Sequence, residues 1–133
     1  MSDFRQVTPG FWVAPQISVA DVARAKALGF TLIINNRPDG EAPDQPSAAA
    51  LEAAARSAGI DYLAAPVFGL PAPDEVAAVR AAAGASTKTL AFCRSGTRSI
   101  FAWALGQLTA ENQAEIARLG AAAGYDLTPV LGA

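Results

Sequence analysis

The stretch "LAFCRSGTRSIFAW", residues 90–103, passes from an apolar run through a cysteine, a glycine and two arginines into a second apolar pattern with helical spacing. Its reading decides the fold, because a strand that turns sharply into a helix brings backbone amides and a helix N-terminus to one point. Cys93 is the only cysteine in the chain. Most lone cysteines are small buried hydrophobes. Here the context argues otherwise. Gly96 permits a tight turn with inward-pointing amides, and Arg98 and Ser99 open a helix whose N-terminus carries partial positive charge. Such a nest holds a tetrahedral anion, and the same field stabilises a thiolate. Arg98 adds a planar fork suited to two oxygens of that anion. A purely structural cysteine gains nothing from Arg94 and Arg98 within five residues, so Cys93 reads as a candidate nucleophile.

Outward from this loop, apolar runs alternate with alanine-rich helical stretches. "KTLAFC" (88–93), "TLIINN" (31–36) and "YLAAPV" (62–67) are short and apolar on both parities, as strands covered by helices on both faces are. "FWVAP" near residue 11 is a fourth strand, assigned to an edge by its flanking prolines. Three helices are marked at both ends: one from Ser18 to Gly29, one from Ser47 to Gly59, and one with Pro73, Asp74 and Glu75 in its first turn and Gly84 at its close. Two more are expected, over "SIFAWALGQL" and over "TAENQAEIARLGAAAGY" from Thr109. The expected fold is α/β, a three-layer sandwich with a central, mostly parallel sheet of four or five strands flanked by helices.

Composition narrows the chemistry. The chain has 133 residues, 52% of them hydrophobic and 17% charged, which suits one domain over residues 1–133 with a proper core. A net charge of −2 provides no general basic field, so neither nucleic acid nor a membrane is an expected partner. The N-terminal residues carry no basic region followed by a long apolar one, and a cytoplasmic soluble protein is expected. With one cysteine there is no internal disulfide. With no histidine the commonest metal ligand and general base are both missing, and no metal or cofactor is expected. The chemistry falls to Cys93, carboxylates, arginines and backbone amides.

The loop "CRSGTRS" resembles the active-site loop of cysteine-dependent protein-tyrosine and dual-specificity phosphatases and, in a related form, that of rhodanese sulfurtransferases. Taken with "INNRPDGEAPDQPS" (34–47) and "YLAAPV", in that order, it resembles the bacterial family DUF442, the phosphatase-like domain of beta-lactamase-hydrolase-like proteins, from about residue 4 to about residue 108. The resemblance implies a phosphatase-like α/β fold. It further implies that Cys93 is the thiolate nucleophile and that Arg94, Ser95, Gly96 and Thr97 line the anion loop. Arg98 would bind the transferred group, and Ser99 would support the thiolate as it leaves.

The chain departs from the phosphatase pattern in three ways. Four residues rather than five separate Cys93 from Arg98, a rhodanese-like length that makes a tighter ring and suits a persulfide sulfur. Phe92 stands where the classical enzymes place histidine. The segment after "YLAAPV" has no acid before Asp74. Asp74 is thus a candidate general acid or simply a first-turn residue of a helix. Asp39 is another candidate, at the carboxyl edge of the sheet, or else the middle of a Pro-Asp-Gly turn. Arg37 adds charge to the pocket or pairs with Asp39 or Glu41. Trp12, Phe68 and Trp103 wall the pocket or belong to the core. The leading functional reading is a phosphatase-like hydrolase acting on a phosphate-bearing small molecule or phosphoprotein. The alternative is a sulfurtransferase handling a sulfur-bearing small molecule, and the third is a catalytically idle anion- or phosphopeptide-binding module.

Overall fold

Strand pairing in the computed structural model, which describes residues 2–132, follows the alternation of apolar runs. Strands β1 (Arg5–Thr8) and β2 (Phe11–Ala14) form an antiparallel pair with Arg5 opposite Val13. The chain continues through helix α1 (Val19–Ala27), β3 (Leu32–Asn35), α2 (Ala48–Ser57), β4 (Asp61–Ala64), α3 (Pro73–Gly84), β5 (Thr89–Phe92) and α4 (Thr97–Gln107), and closes with α5 (Gln113–Ala122) and the short α6 (Thr128–Leu131). The sheet has five strands in the order β1-β2-β5-β3-β4, and every pairing except β1–β2 is parallel. The mostly parallel sheet flanked by helices is therefore the observed architecture.

Both faces of the sheet are buried, which is why its strands are apolar on both parities. Val13, Leu32, Ile34 and Ala91 pack with Val79 of α3, Ile100 and Trp103 of α4 and Ile116 of α5. On the other face Ile33, Tyr62, Leu90 and Phe92 pack with Val22 and Ala25 of α1 and with Leu51 and Ala55 of α2. The helix starts follow the sequence signals. Ser18 and Asp21 form a reciprocal capping box on α1. The Ser47 hydroxyl accepts from the Ala50 amide on α2 at 3.1 Å, and Glu75 accepts from the Ala72 amide on α3 at 2.7 Å. Each such cap contributes about 1 kcal/mol.

Four local expectations are corrected. The "FWVAP" strand is interior, since Pro9 and Pro15 lie outside β2 and remove no hydrogen bond from its ladder; the edge on that side is β1, whose polar residues, exposed or half-buried, give no strand signal. The strand expected over 62–67 ends at Ala64, because Pro66 has no N–H, although Ala65 and Val67 still donate to the Asn35 and Asn36 carbonyls. Cys93 follows the last strand residue, Phe92, with its amide 3.4 Å from the Ala14 carbonyl. The fifth long helix begins at Gln113 rather than Thr109, because the Asn112 side chain accepts from the Thr109 amide and donates to the Gln107 carbonyl, fixing a turn there. Among the described residues no helix is long and apolar enough to cross a membrane.

Candidate active site

Because β2, β3, β4 and β5 run parallel, their carboxyl ends open at one edge, the place where sites form in open α/β sheets. Gln16 follows β2, Asn36, Arg37 and Glu41 follow β3, Ala65 and Val67 follow β4, and Cys93 to Ser99 follow β5. Gly96 is the N-cap of α4 and sits at φ +91°, a backbone conformation that a side chain resists. This turn reverses the chain tightly enough for the Gly96 amide to donate to the Cys93 sulfur at 3.1 Å. Cys93 itself has no solvent exposure.

Arg98 shares the first turn of α4. Its Nη1 and Nη2 donate to the two carboxylate oxygens of Glu41, both at 2.8 Å, and Nη1 also donates to the Val67 carbonyl at 2.8 Å. A guanidinium has five N–H hydrogens, and three are taken. The Nε–H and the remaining Nη2–H lie along one edge and form a second fork. The Arg98 pKa is raised, first by the Glu41 hydrogen bonds and further by the charge of Cys93. Glu41 responds in the opposite direction. Its bidentate pair with Arg98, seconded by Arg37, holds the carboxyl at about 2 against burial, which pushes it up. Glu41 is thus ionised at any ordinary pH and is no proton donor.

Arg37 is buried. Its Nε donates to Glu41 at 2.9 Å and its Nη1 to Gln16 Oε1 at 3.0 Å, so of the two expected partners it takes Glu41 and not Asp39. Asn36, fully buried, ties three elements: its amide donates to the Phe92 carbonyl, its Nδ2 to the Ala65 carbonyl at 2.9 Å, and its Oδ1 accepts from the Ser99 hydroxyl at 2.8 Å. The single Ser99 proton is therefore given to Asn36 and not to Cys93. Arg94 and Ser95 are exposed on the rim, where the Arg94 carbonyl accepts from the Gln16 amide and the Ser95 and Thr97 hydroxyls lie 2.9 Å apart.

The remaining candidates are positioned for other tasks. Asp39 is exposed and its Oδ1 accepts from the Ala48 amide at 2.8 Å, securing the start of α2. Asp74 is exposed in the first turn of α3. Trp103 stacks on Phe11, which opens β2 at the opposite edge of the sheet, and Trp12 lies edge-on to Phe30, so both tryptophans take the packing alternative. Phe68 is 80% exposed next to Val67. Sequence reasoning missed Asn36, Gln16 and the Val67 carbonyl, and took Glu41 only as a partner for Arg37. It also missed Tyr125, whose hydroxyl donates to the Ser95 carbonyl at 2.8 Å. Asn36 and Glu41 lie within the "INNRPDGE" segment that carried the resemblance; Tyr125 has no local signal.

The model of a family described as beta-lactamase hydrolase-like protein, phosphatase-like domain, matches residues 3–110. A beta-lactamase hydrolase-like protein of Xylella fastidiosa strain Temecula1 is 42% identical over 103 residues, 74% of this chain and 24% of the relative. The chain thus spans about a quarter of the length of that curated relative. A candidate phosphatase from Neisseria meningitidis Z2491, solved by crystallography, is 29% identical with a TM-score of 0.80, covering 96% of this chain and 92% of that one. A kinase-associated phosphatase is 15% identical with a TM-score of 0.69, covering 98% and 89%, a likeness of fold alone.

Proposed function

The chain belongs to the family of the phosphatase-like domain of beta-lactamase hydrolase-like proteins, and on that footing we propose that it is a cysteine-dependent phosphomonoesterase with Cys93 as nucleophile. The observation that carries this reading is the Gly96 N–H donated to the Cys93 sulfur at the start of α4, with Arg98 in the same first turn anchored by Glu41 and the Val67 carbonyl. A structural cysteine has no need of that donor or of an anchored guanidinium in the adjoining turn. The α4 N-terminus adds partial positive charge at the same point.

The reaction consists of two displacements. The Cys93 thiolate attacks phosphorus, forming an S–P bond as the P–O bond to the leaving group breaks. Arg98 offers two phosphoryl oxygens the Nε–Nη2 fork that Glu41 holds in place. Water then attacks phosphorus, the S–P bond breaks, and inorganic phosphate leaves with the thiolate restored. Neither Asp39, bonded to the α2 amide, nor Asp74, on the first turn of α3, is offered as a proton donor, so the leaving oxyanion takes its proton from solvent. This proton economy favours acidic leaving groups such as phenolates.

The test is turnover of p-nitrophenyl phosphate by the intact protein and by Cys93→Ser, with intact mass measured after incubation with thiosulfate. The reading requires phosphate release that is lost in Cys93→Ser and no added sulfur mass. Release unchanged in Cys93→Ser sinks it, and so does a sulfur adduct on Cys93 without phosphate release, which points to the sulfurtransferase alternative.

A further inference from the structure

One side chain from outside the region matched by the family model reaches the anion loop. Tyr125 follows α5, beyond residues 3–110. Gly124, at φ +93°, turns the chain there, and the Tyr125 amide returns to the Gly120 carbonyl at 2.9 Å. Arg5 lies 5.3 Å from the centre of the Tyr125 ring, and its Nη1 donates to the Ala123 carbonyl at 3.3 Å, so the aromatic side chain is held from both sides of the fold.

The hydroxyl of Tyr125 donates to the Ser95 carbonyl, and the Gly96 N–H donates to the Cys93 sulfur. These two groups are the two ends of one peptide unit. The described chain has no cis peptide, so the carbonyl and the N–H of that unit point in opposite directions. Fixing one end therefore fixes the other. A 180° flip of the unit would point the Ser95 carbonyl at the sulfur and the N–H at Tyr125, replacing an attractive dipole with a repulsive one. From this geometry we propose that Tyr125 is a positioning residue for the nucleophile, its hydroxyl locking the 95–96 peptide with its N–H aimed at Cys93. The inference rests on the reading of Cys93 as the nucleophile.

Two further observations agree. Burial, with the charge of Cys93 also contributing, raises the Tyr125 pKa above its ordinary value, so the phenol keeps the proton it donates. Hydrogen bonding at the carbonyl polarises the peptide and strengthens its N–H as a donor. The close fit also constrains the neighbour: a Cβ on Gly96 would come 2.2 Å from the Tyr125 hydroxyl oxygen. Glycine at 96 is thus required both by its backbone angle and by the approach of the phenol.

The experiment is the pH profile of Cys93 alkylation by iodoacetamide, comparing the unsubstituted protein with Tyr125→Phe, which keeps the ring beside Arg5 and removes only the hydroxyl. The quantity to read is the pH at which the rate reaches half its high-pH plateau, because this reports thiolate stabilisation and is insensitive to a general loss of stability. That pH is expected to rise by about 0.5–1 unit in Tyr125→Phe, a three- to tenfold loss of thiolate stabilisation and the worth of one ordinary hydrogen bond. An unchanged half-plateau pH overturns the proposal, including the case where only the thermal midpoint drops. If Tyr125→Phe does not fold, Tyr125→Leu, which carries no side-chain donor, takes its place under the same criterion. A Cys93 inert in the unsubstituted protein until unfolding overturns the nucleophile reading itself. A reactive Cys93 whose half-plateau pH ignores Tyr125 overturns the positioning role alone.

Discussion

Replacing Glu41 with glutamine removes one negative charge from between two arginines while keeping nearly the same shape. In the native site Glu41 accepts three hydrogen bonds, two from Arg98 and one from Arg37. Hydrogen bonds to charged groups are worth about 1.5–3 kcal/mol each when well shielded, whereas fully exposed ion pairs give about 0–1 kcal/mol. The Glu41 side chain is 29% exposed, Arg98 18% and Arg37 5%, so screening is partial and the glutamine variant is expected to lose about 1–2 kcal/mol in total. Its new amide N–H₂ also opposes Arg98 in either orientation, and Arg37 as well where it replaces Oε1. For a chain of this size the loss lowers the unfolding midpoint by roughly 4–7 °C. The pH dependence follows from the sign of the shift. The Glu41 carboxyl is held at about 2, below its ordinary 4.5, so its stabilisation is complete above pH 4.5 and is lost as pH falls toward 2. The stability gap between the two proteins, measured by urea unfolding from pH 7 to pH 2.5, should be full at neutral pH and close steadily below 4.5. With Arg98 no longer anchored, turnover of an aryl phosphate should fall on the order of 10- to 100-fold, as small misplacements of a binding group do. Equal stability at pH 7, or a gap that stays constant down to pH 2.5, would refute the assignment of Glu41 as the anchor of the two arginines.

Three further outcomes follow from named contacts. Asn36→Ala leaves the Ala65 carbonyl and the Ser99 hydroxyl without their buried partner and should cost about 2–4 kcal/mol, read by denaturant unfolding; a loss below 1 kcal/mol would mean that Asn36 is not the tie between the β3, β4 and α4 segments. Asp39→Asn should leave aryl-phosphate turnover within a factor of about two and cost about 0.5–1 kcal/mol through the start of α2; abolished turnover with a flattened acid limb of the pH profile would make Asp39 the proton donor. Across a series of substrates the rate should fall steeply as leaving-group pKa rises, since a positioned acid ordinarily supplies about 10²- to 10⁴-fold; a flat dependence would show that a proton donor is present.

The parallel core of the fold was legible because its causes are local. "TLIINN" and "KTLAFC" are apolar on both parities since both faces of the sheet are covered, and Ser18, Ser47 and Glu75 mark helix starts by hydrogen bonds within three or four residues. What escaped depends on partners far away in the chain. β1 exists as a strand because β2 pairs with it, and only Val7 among its four residues is fully buried, too little for an alternation signal. The same division holds in the site. The turn at Gly96 and the placement of Arg98 follow from the loop's own residues. Glu41 meets Arg98 across 57 positions and Tyr125 meets Ser95 across 30, and no local pattern distinguishes such a carboxylate or phenol from an ordinary surface side chain.

The distribution of charge around Cys93 explains why an acid was hard to find in the sequence. A carboxyl group close enough to protonate a leaving group would also lie close to Arg98, and a carboxyl beside a guanidinium is driven toward the ionised form. Glu41 is that case: the contact that lets it orient Arg98 holds its carboxyl at about 2 and disqualifies it as a donor near neutrality. One carboxylate cannot serve both tasks at one site. A second acid would need apolar surroundings to keep its proton, and the segment after β4 reaches Arg98 only through the Val67 carbonyl, with Phe68 and Leu70 beyond it 80% and 64% exposed. On the proposed mechanism, with no acid in that segment before Asp74, selectivity would rest on the leaving group's own acidity, which the leaving-group series tests.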